Sequence, residues 1–129
     1  MNKKEIGLEN LAKIDGAAAK PVEEALKDIA PDLNDMMIEF AFGTIYNRGV
    51  LDFKQREMIT ITSLLSQGGL ENQLRVHIQA SMNVGLTQEE IVETFIHCIP
   101  YVGFPKVLNA IFIAKEISVS YTHLRAHET

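Results

Sequence analysis

The chain has 129 residues, 47% hydrophobic and 22% charged, which is typical of one globular domain and not of a disordered chain. Its net charge of −5 gives no reason to expect nucleic acid or an anionic membrane surface as a partner. A single cysteine excludes an internal disulfide or a cysteine-based zinc site. The charged start and the lack of a run of roughly 20 apolar residues predict a cytoplasmic protein.

Helix signals recur along the first half of the chain, and we find no strand or hairpin pattern. Residues 3–14 form a short amphipathic segment that ends at Asp15. Pro21 and Pro31 each stand where proline favours the first turn of a helix, so we predict a helix beginning at each of them. The helix from Pro31 is expected to end before Gly49.

The second half predicts helices with clear start and stop signals. Asp52 can cap the first of them, and Thr87 with Glu90 forms the pattern of a capping box. The predicted helices cover residues 53–66, 70–83, 87–99 and 104–117. Because short turns join them, neighbours should run antiparallel, and we predict an all-α bundle of helical hairpins.

The last of these helices is apolar on more than one side. Its apolar residues are Val107, Leu108, Ala110, Ile111, Phe112, Ile113 and Ala114. A helix of this kind must be covered nearly all round, and a small domain has little of its own to cover it. We therefore expect a homo-oligomer built through residues 70–83 and 104–117.

The C-terminal segment has a different character. Ser120–Thr129 has no apolar period, and it matches the translation of an adapter end from transposase-made sequencing libraries. We expect a single domain at residues 1–117 followed by a non-native tail at residues 118–129. The alternative is a genuine polar tail.

Glu57 and His77 occupy helix positions where an apolar residue would be ordinary. Glu57 is eleven residues before the turn at Gly68 and His77 is nine after it. At about 1.5 Å per residue they lie roughly 16 and 14 Å from that turn, in the same layer. Two titratable groups that meet in a poorly solvated pocket can exchange a proton. The alternative is a buried hydrogen bond that only specifies packing.

His97 stands at a similar distance across the next turn. An i,i+4 contact with Glu93 on the helix surface is its simpler interpretation. A zinc site built from His97, His77 and Glu57 is conceivable, but no HExxH or similarly dense spacing supports it. We expect no metal.

Cys98 and Tyr101 share a helix face with His97, so all three are candidates to line a pocket. Cys98 has no second cysteine beside it, which favours a small core residue over a reactive thiol.

These positions belong to two stretches that resemble the carboxymuconolactone decarboxylase family, namely REMITITSLLSQGG and LRVHIQASMNVGLTQEEIVETFIHCIPYVGFPKVLNAI. The similarity covers roughly residues 50–114. It combines the Arg-Glu opening of a long helix, a histidine followed by an Asn-Val-Gly-Leu-Thr turn, and His-x3-Tyr-x-Gly-x-Pro. The resemblance implies an all-α fold assembled as trimers or hexamers.

The resemblance implies one of two chemistries. The alkylhydroperoxidase branch uses a CxxC dithiol just upstream of the histidine, where this chain reads LENQ, and a dithiol cycle cannot run on one thiol per subunit. The decarboxylase branch converts 4-carboxymuconolactone to 3-oxoadipate enol-lactone in aromatic catabolism without a cofactor. The second branch is the one this sequence favours.

The same resemblance implies catalytic acid/base roles for Glu57 and His77. Loss of CO2 requires a donor that protonates carbon, and an imidazole held by a carboxylate suits that step. Candidates to bind the substrate carboxylates are Arg48, Lys54 and Arg75, and the alternative is that all three are solvated surface. The competing class of function is a non-catalytic oligomeric binding or scaffold protein, which a sealed pocket would favour.

Overall fold

Helices account for all the regular secondary structure among the described residues, which confirms the predicted all-α class. The computed structural model describes the backbone of residues 1–128 and the side chains of residues 1–118. The chain divides into two compact units, Met1–Arg56 and Glu57–Thr129. Within the described residues, none of the helices combines the length and apolarity that a membrane crossing needs.

The helices follow the predicted order with three differences. One helix replaces the first two that were predicted, the helix predicted at residues 87–99 is divided in two, and the last helix continues past residue 117. The N-terminal unit holds α1 (Lys3–Leu26), α2 (Pro31–Met36) and a π-helix (Met37–Ile45). The division between the units falls inside α3 (Phe53–Gln67). The remaining helices are α4 (Glu71–Asn83), α5 (Gln88–His97), α6 (Ile99–Val102) and α7 (Phe104–Glu128). The side chains of the suspected tail from residue 119 onward lie outside the described residues, so its origin stays a prediction.

Pro21 does not open a helix as predicted. The chain is already helical before it, and the break falls at Asp15, whose φ of −162° and ψ of 73° are non-helical. Pro21 therefore lies in the interior of the second helical segment of α1. Its fixed φ suits a helix, and its ring removes one backbone hydrogen bond there. The predicted stop at Asp15 was correct, and only the restart was misplaced.

Two glycines allow α1 and the π-helix to pack backbone against backbone. A Cβ atom on Gly7 would overlap the carbonyl oxygen of Ile38, and one on Gly43 would overlap that of Lys3. Asn10, which is buried, donates from Nδ2 to the carbonyl oxygen of Phe42 at 2.8 Å. The N-terminal unit is thus held by a close helix crossing and one buried side-chain hydrogen bond.

The C-terminal unit has its own apolar core. Its buried members include Ile61, Leu65, Leu74, Ile78, Ile91, Phe95, Cys98, Val107, Ala110 and Ile113. The turn from α3 to α4 uses Gly68 and Gly69, with φ of 74° and 72°, a conformation that glycine adopts without a Cβ penalty. The capping box predicted at Thr87 and Glu90 is confirmed by both of its hydrogen bonds.

Gly7→Ala should destabilise the N-terminal unit by about 2 kcal/mol or more, because the added methyl group meets backbone that cannot move aside cheaply. Gly16→Ala is the matched control, since nothing lies within 4 Å of its Cβ position. The control should be neutral or stabilise the helix by up to about 1 kcal/mol. Urea unfolding followed by circular dichroism measures both, and equal effects would contradict the close crossing.

Candidate active site

Glu57 of α3 and His77 of α4 meet in the C-terminal unit. The Nδ1 atom of His77 lies 2.8 Å from Oε1 of Glu57 and 3.3 Å from Oε2. The Glu57 side chain is 0% exposed, whereas the His77 side chain is 23% exposed. Because an ionised carboxylate only accepts hydrogen bonds, Nδ1 is the donor when Glu57 is charged. A buried acceptor is therefore joined to a partly exposed imidazole.

The apolar residues around the pair explain its position. Ile61 and Leu65 follow Glu57 by one and two turns on the same face of α3, and both are buried. On α4, Ile78 adjoins His77 and is fully buried. A lone carboxylate in such surroundings would cost several kcal/mol, and the hydrogen bond to His77 offsets part of that cost.

Ser81 supports the same turn of α4. Its side chain is fully buried, and Oγ donates to the carbonyl oxygen of His77 at 2.7 Å. The hydroxyl is thereby satisfied by backbone in the core and does not compete with Glu57 for the ring.

A groove of about 700 Å³, here called the α3–α5 groove, lies elsewhere in the C-terminal unit. Its lining residues are Met58, Ile59, Thr62, Ser63, Glu90, Glu93, Thr94, His97 and Cys98. At 100° per residue, Thr62 is about 140° from Glu57 around the axis of α3. The groove and the Glu57–His77 pair therefore use different faces of α3.

The candidate pocket residues lie apart from the Glu57–His77 pair. His97 and Cys98 line the groove, and the exposed Tyr101 has its ring 5.9 Å from that of His97. Among the described residues, no group of three or more His, Cys, Asp or Glu side chains is arranged to hold a metal ion.

Cys98 is packed in the apolar core. Its Sγ donates to the carbonyl oxygen of Thr94 at 3.3 Å. Burial raises the pKa of the Cys98 thiol, and a hydrogen bond with Thr62 opposes that shift in part. The thiol thus stays protonated at neutral pH, in agreement with the predicted core role.

The three candidate cations have different surroundings. Arg75 is exposed and its Nη1 pairs with the carboxylate of Glu116 on α7. It precedes His77 by two residues, which puts the two side chains on opposite sides of α4. Arg48 and Lys54 are exposed and belong to the N-terminal unit. Their role in binding a carboxylate stays a prediction.

Arg56 is a structural residue that the sequence analysis overlooked. Its Nη2 donates to the carbonyl oxygens of Arg48 and Gly49, both at 3.0 Å, and its Nε to that of Leu51 at 3.3 Å. It fastens a loop in which Val50 has φ of 78°, a rare conformation for a β-branched residue. The signal was the arginine of the Arg-Glu opening of α3, for which the sequence predicted no separate role.

The fold and the site together define the class of protein. It is all-helical among the described residues and has a buried carboxylate that is hydrogen-bonded to a partly exposed imidazole. The sequence model of the Carboxymuconolactone decarboxylase family matches residues 31–116. The chain belongs to the carboxymuconolactone decarboxylase family, as its motifs predicted.

Three relatives are similar over most of their length. The 4-carboxymuconolactone decarboxylase of Acinetobacter baylyi is 35% identical over 94 residues, which cover 73% of this chain and 69% of the relative. An uncharacterised 15.0 kDa protein of Paracoccus denitrificans is 34% identical, with 72% and 70% covered. Nitrosuccinic acid decarboxylase of Metarhizium robertsii is 32% identical over 99 residues, with 74% and 68% covered.

Cys98→Ser should keep the fold, lower the free energy of unfolding by no more than about 1.5 kcal/mol, and leave any turnover unchanged, since serine can donate to the same carbonyl. In the unmodified protein, iodoacetamide at pH 7.5 should alkylate Cys98 about 10-fold or more slowly than free glutathione. Rapid alkylation, or a large loss of turnover in a folded Cys98→Ser variant, would show that the thiol is reactive.

Proposed function

We propose that the protein is a cofactor-independent decarboxylase of a small carboxylated lactone or a related acid, and thus a carbon–carbon lyase. His77 exchanges the proton and Glu57 orients and stabilises the imidazole. The observation that carries this proposal is the 2.8 Å bond between a fully buried carboxylate and a partly exposed ring. A pair that served only packing would have no need of an accessible imidazole.

The proposed chemistry requires little more than a positioned proton donor. When CO2 leaves, the two electrons of the broken carbon–carbon bond pass to the remaining substrate, where an electron-accepting group delocalises them. A proton must then be delivered to carbon. Because Nδ1 of His77 is bound to Glu57, the other ring nitrogen, Nε2, is the one that delivers the proton. The carboxylate stabilises the imidazolium before the transfer.

The names of two relatives support the substrate class. One is a decarboxylase of 4-carboxymuconolactone and the other of nitrosuccinic acid. Both names describe an acid that carries a strong electron acceptor, a lactone in one case and a nitro group in the other. We infer that this protein takes a substrate of the same kind. Breakdown of aromatic compounds in the cytoplasm is the process in which we expect it to act.

Self-association is part of the proposal. The buried face of α7 includes Val107 and Ala110, while Phe104 and Phe112 on the same helix are 64% and 58% exposed. A trimer or hexamer would cover that second apolar surface. A neighbouring copy could also supply the cations that a carboxylated substrate requires, among which Arg48, Lys54 and Arg75 are the candidates.

His77→Asn should lower the rate of decarboxylation by at least about 100-fold without loss of the helical fold, because asparagine remains polar but cannot titrate. Glu57→Gln should lower it less, on the order of 10-fold, because the amide can bond the ring but does not stabilise its cation. The assay is CO2 release from a panel of carboxylated lactones, β-keto acids and nitro acids, with thermal melts of each variant.

Two control variants complete the experiment. Glu71→Gln removes an exposed carboxylate at the start of α4, and His97→Asn removes the histidine of the α3–α5 groove. Both should keep the parent rate per folded molecule. A large loss in His97→Asn would move the site to the groove. Unchanged rates in the Glu57 and His77 variants would favour the scaffold alternative.

A further inference from the structure

One side of α7 presents an apolar surface that the described residues of its own unit cover only in part. Phe104, Leu108 and Phe112 are 64%, 47% and 58% exposed, and the exposed Lys115 lies on the same side. At 100° per residue these four side chains fall within about 80° around the helix axis. We call this surface the α7 stripe.

The α3–α5 groove has complementary chemistry. Apolar side chains contribute to its wall, among them Ile59, which is 56% exposed. Glu90 and Glu93 add two carboxylates, and no lysine or arginine is among its lining residues. A small dicarboxylate would be repelled there, whereas an apolar helix face bearing a lysine would be attracted.

We propose that the α3–α5 groove of one copy binds the α7 stripe of a second copy, with Leu108 and Phe112 in the groove and Lys115 beside Glu93. The inference rests on the self-association included in the proposed function and names the surfaces that produce it. Because the two surfaces differ, the contact is head-to-tail. Repetition from copy to copy closes a ring when the rotation permits, as in a trimer.

The contact also has a consequence for the Glu57–His77 pair. The groove uses one face of α3, and Glu57 projects from another face of the same helix into the core. A neighbour's helix docked in the groove therefore contacts α3 without touching the Glu57 side chain. The contact and the Glu57–His77 pair can therefore be tested with separate variants.

Cysteine cross-linking tests the contact directly. In a Cys98→Ser background, a chain with both Ile59→Cys and Leu108→Cys should form covalent multimers on mild oxidation. Each single-cysteine chain should remain uncross-linked, because a head-to-tail contact brings together one residue of each kind. Cross-linking by Leu108→Cys alone would mean that α7 packs against itself, and it would overturn the proposal.

A matched pair of surface variants provides the second measurement. Leu108→Asp should reduce the mass measured by light scattering to that of a monomer at micromolar concentration. Ile96→Asp should leave the mass unchanged, since Ile96 is similarly exposed (44% against 47%) and does not line the groove. An oligomer that survives Leu108→Asp, or that does not cross-link, would refute this interface alone. A monomeric parent protein would refute the interface and the proposed self-association together.

Discussion

The hydrogen bond between Glu57 and His77 is the constraint on which the C-terminal unit depends. A carboxylate with no exposed surface is tolerated in an apolar core only when a partner satisfies it. His77 of the next helix is such a partner, so the bond also joins α3 to α4. Ile61 and Ile78 belong to the apolar core of the same two helices. The same contact is the one to which the proposed function assigns the chemistry.

Different faces of α3 contribute to different parts of the C-terminal unit. One face carries Glu57 and joins the core, and another contributes to the α3–α5 groove. Cys98 belongs to both the core and the groove, and its raised pKa keeps it a neutral, compact residue there. The thiol chemistry found in one branch of the family has no counterpart at this position.

Local sequence signals predicted much of the fold. Proline at residue 31, the capping residues Thr87 and Glu90, and the glycines after α3 each act through their immediate neighbours, and each was placed correctly. Pro21 was misplaced because proline is compatible with both a helix start and a helix interior when the lost hydrogen bond is tolerated. The π-helix has no local signature, since it accompanies the close crossing at Gly7 and Gly43.

The sequence by itself determined the helical class and the family. It also predicted that Glu57 and His77 could meet, because helical periodicity and similar distances from a turn place both side chains in one layer. Only the tertiary structure decided which member of the pair is accessible, since exposure depends on every element packed around it. It also separated His97 and Cys98 from the pair and joined Arg75 to Glu116. These relations involve residues that are far apart in the chain, and no local sequence pattern shows how close such residues come in the fold.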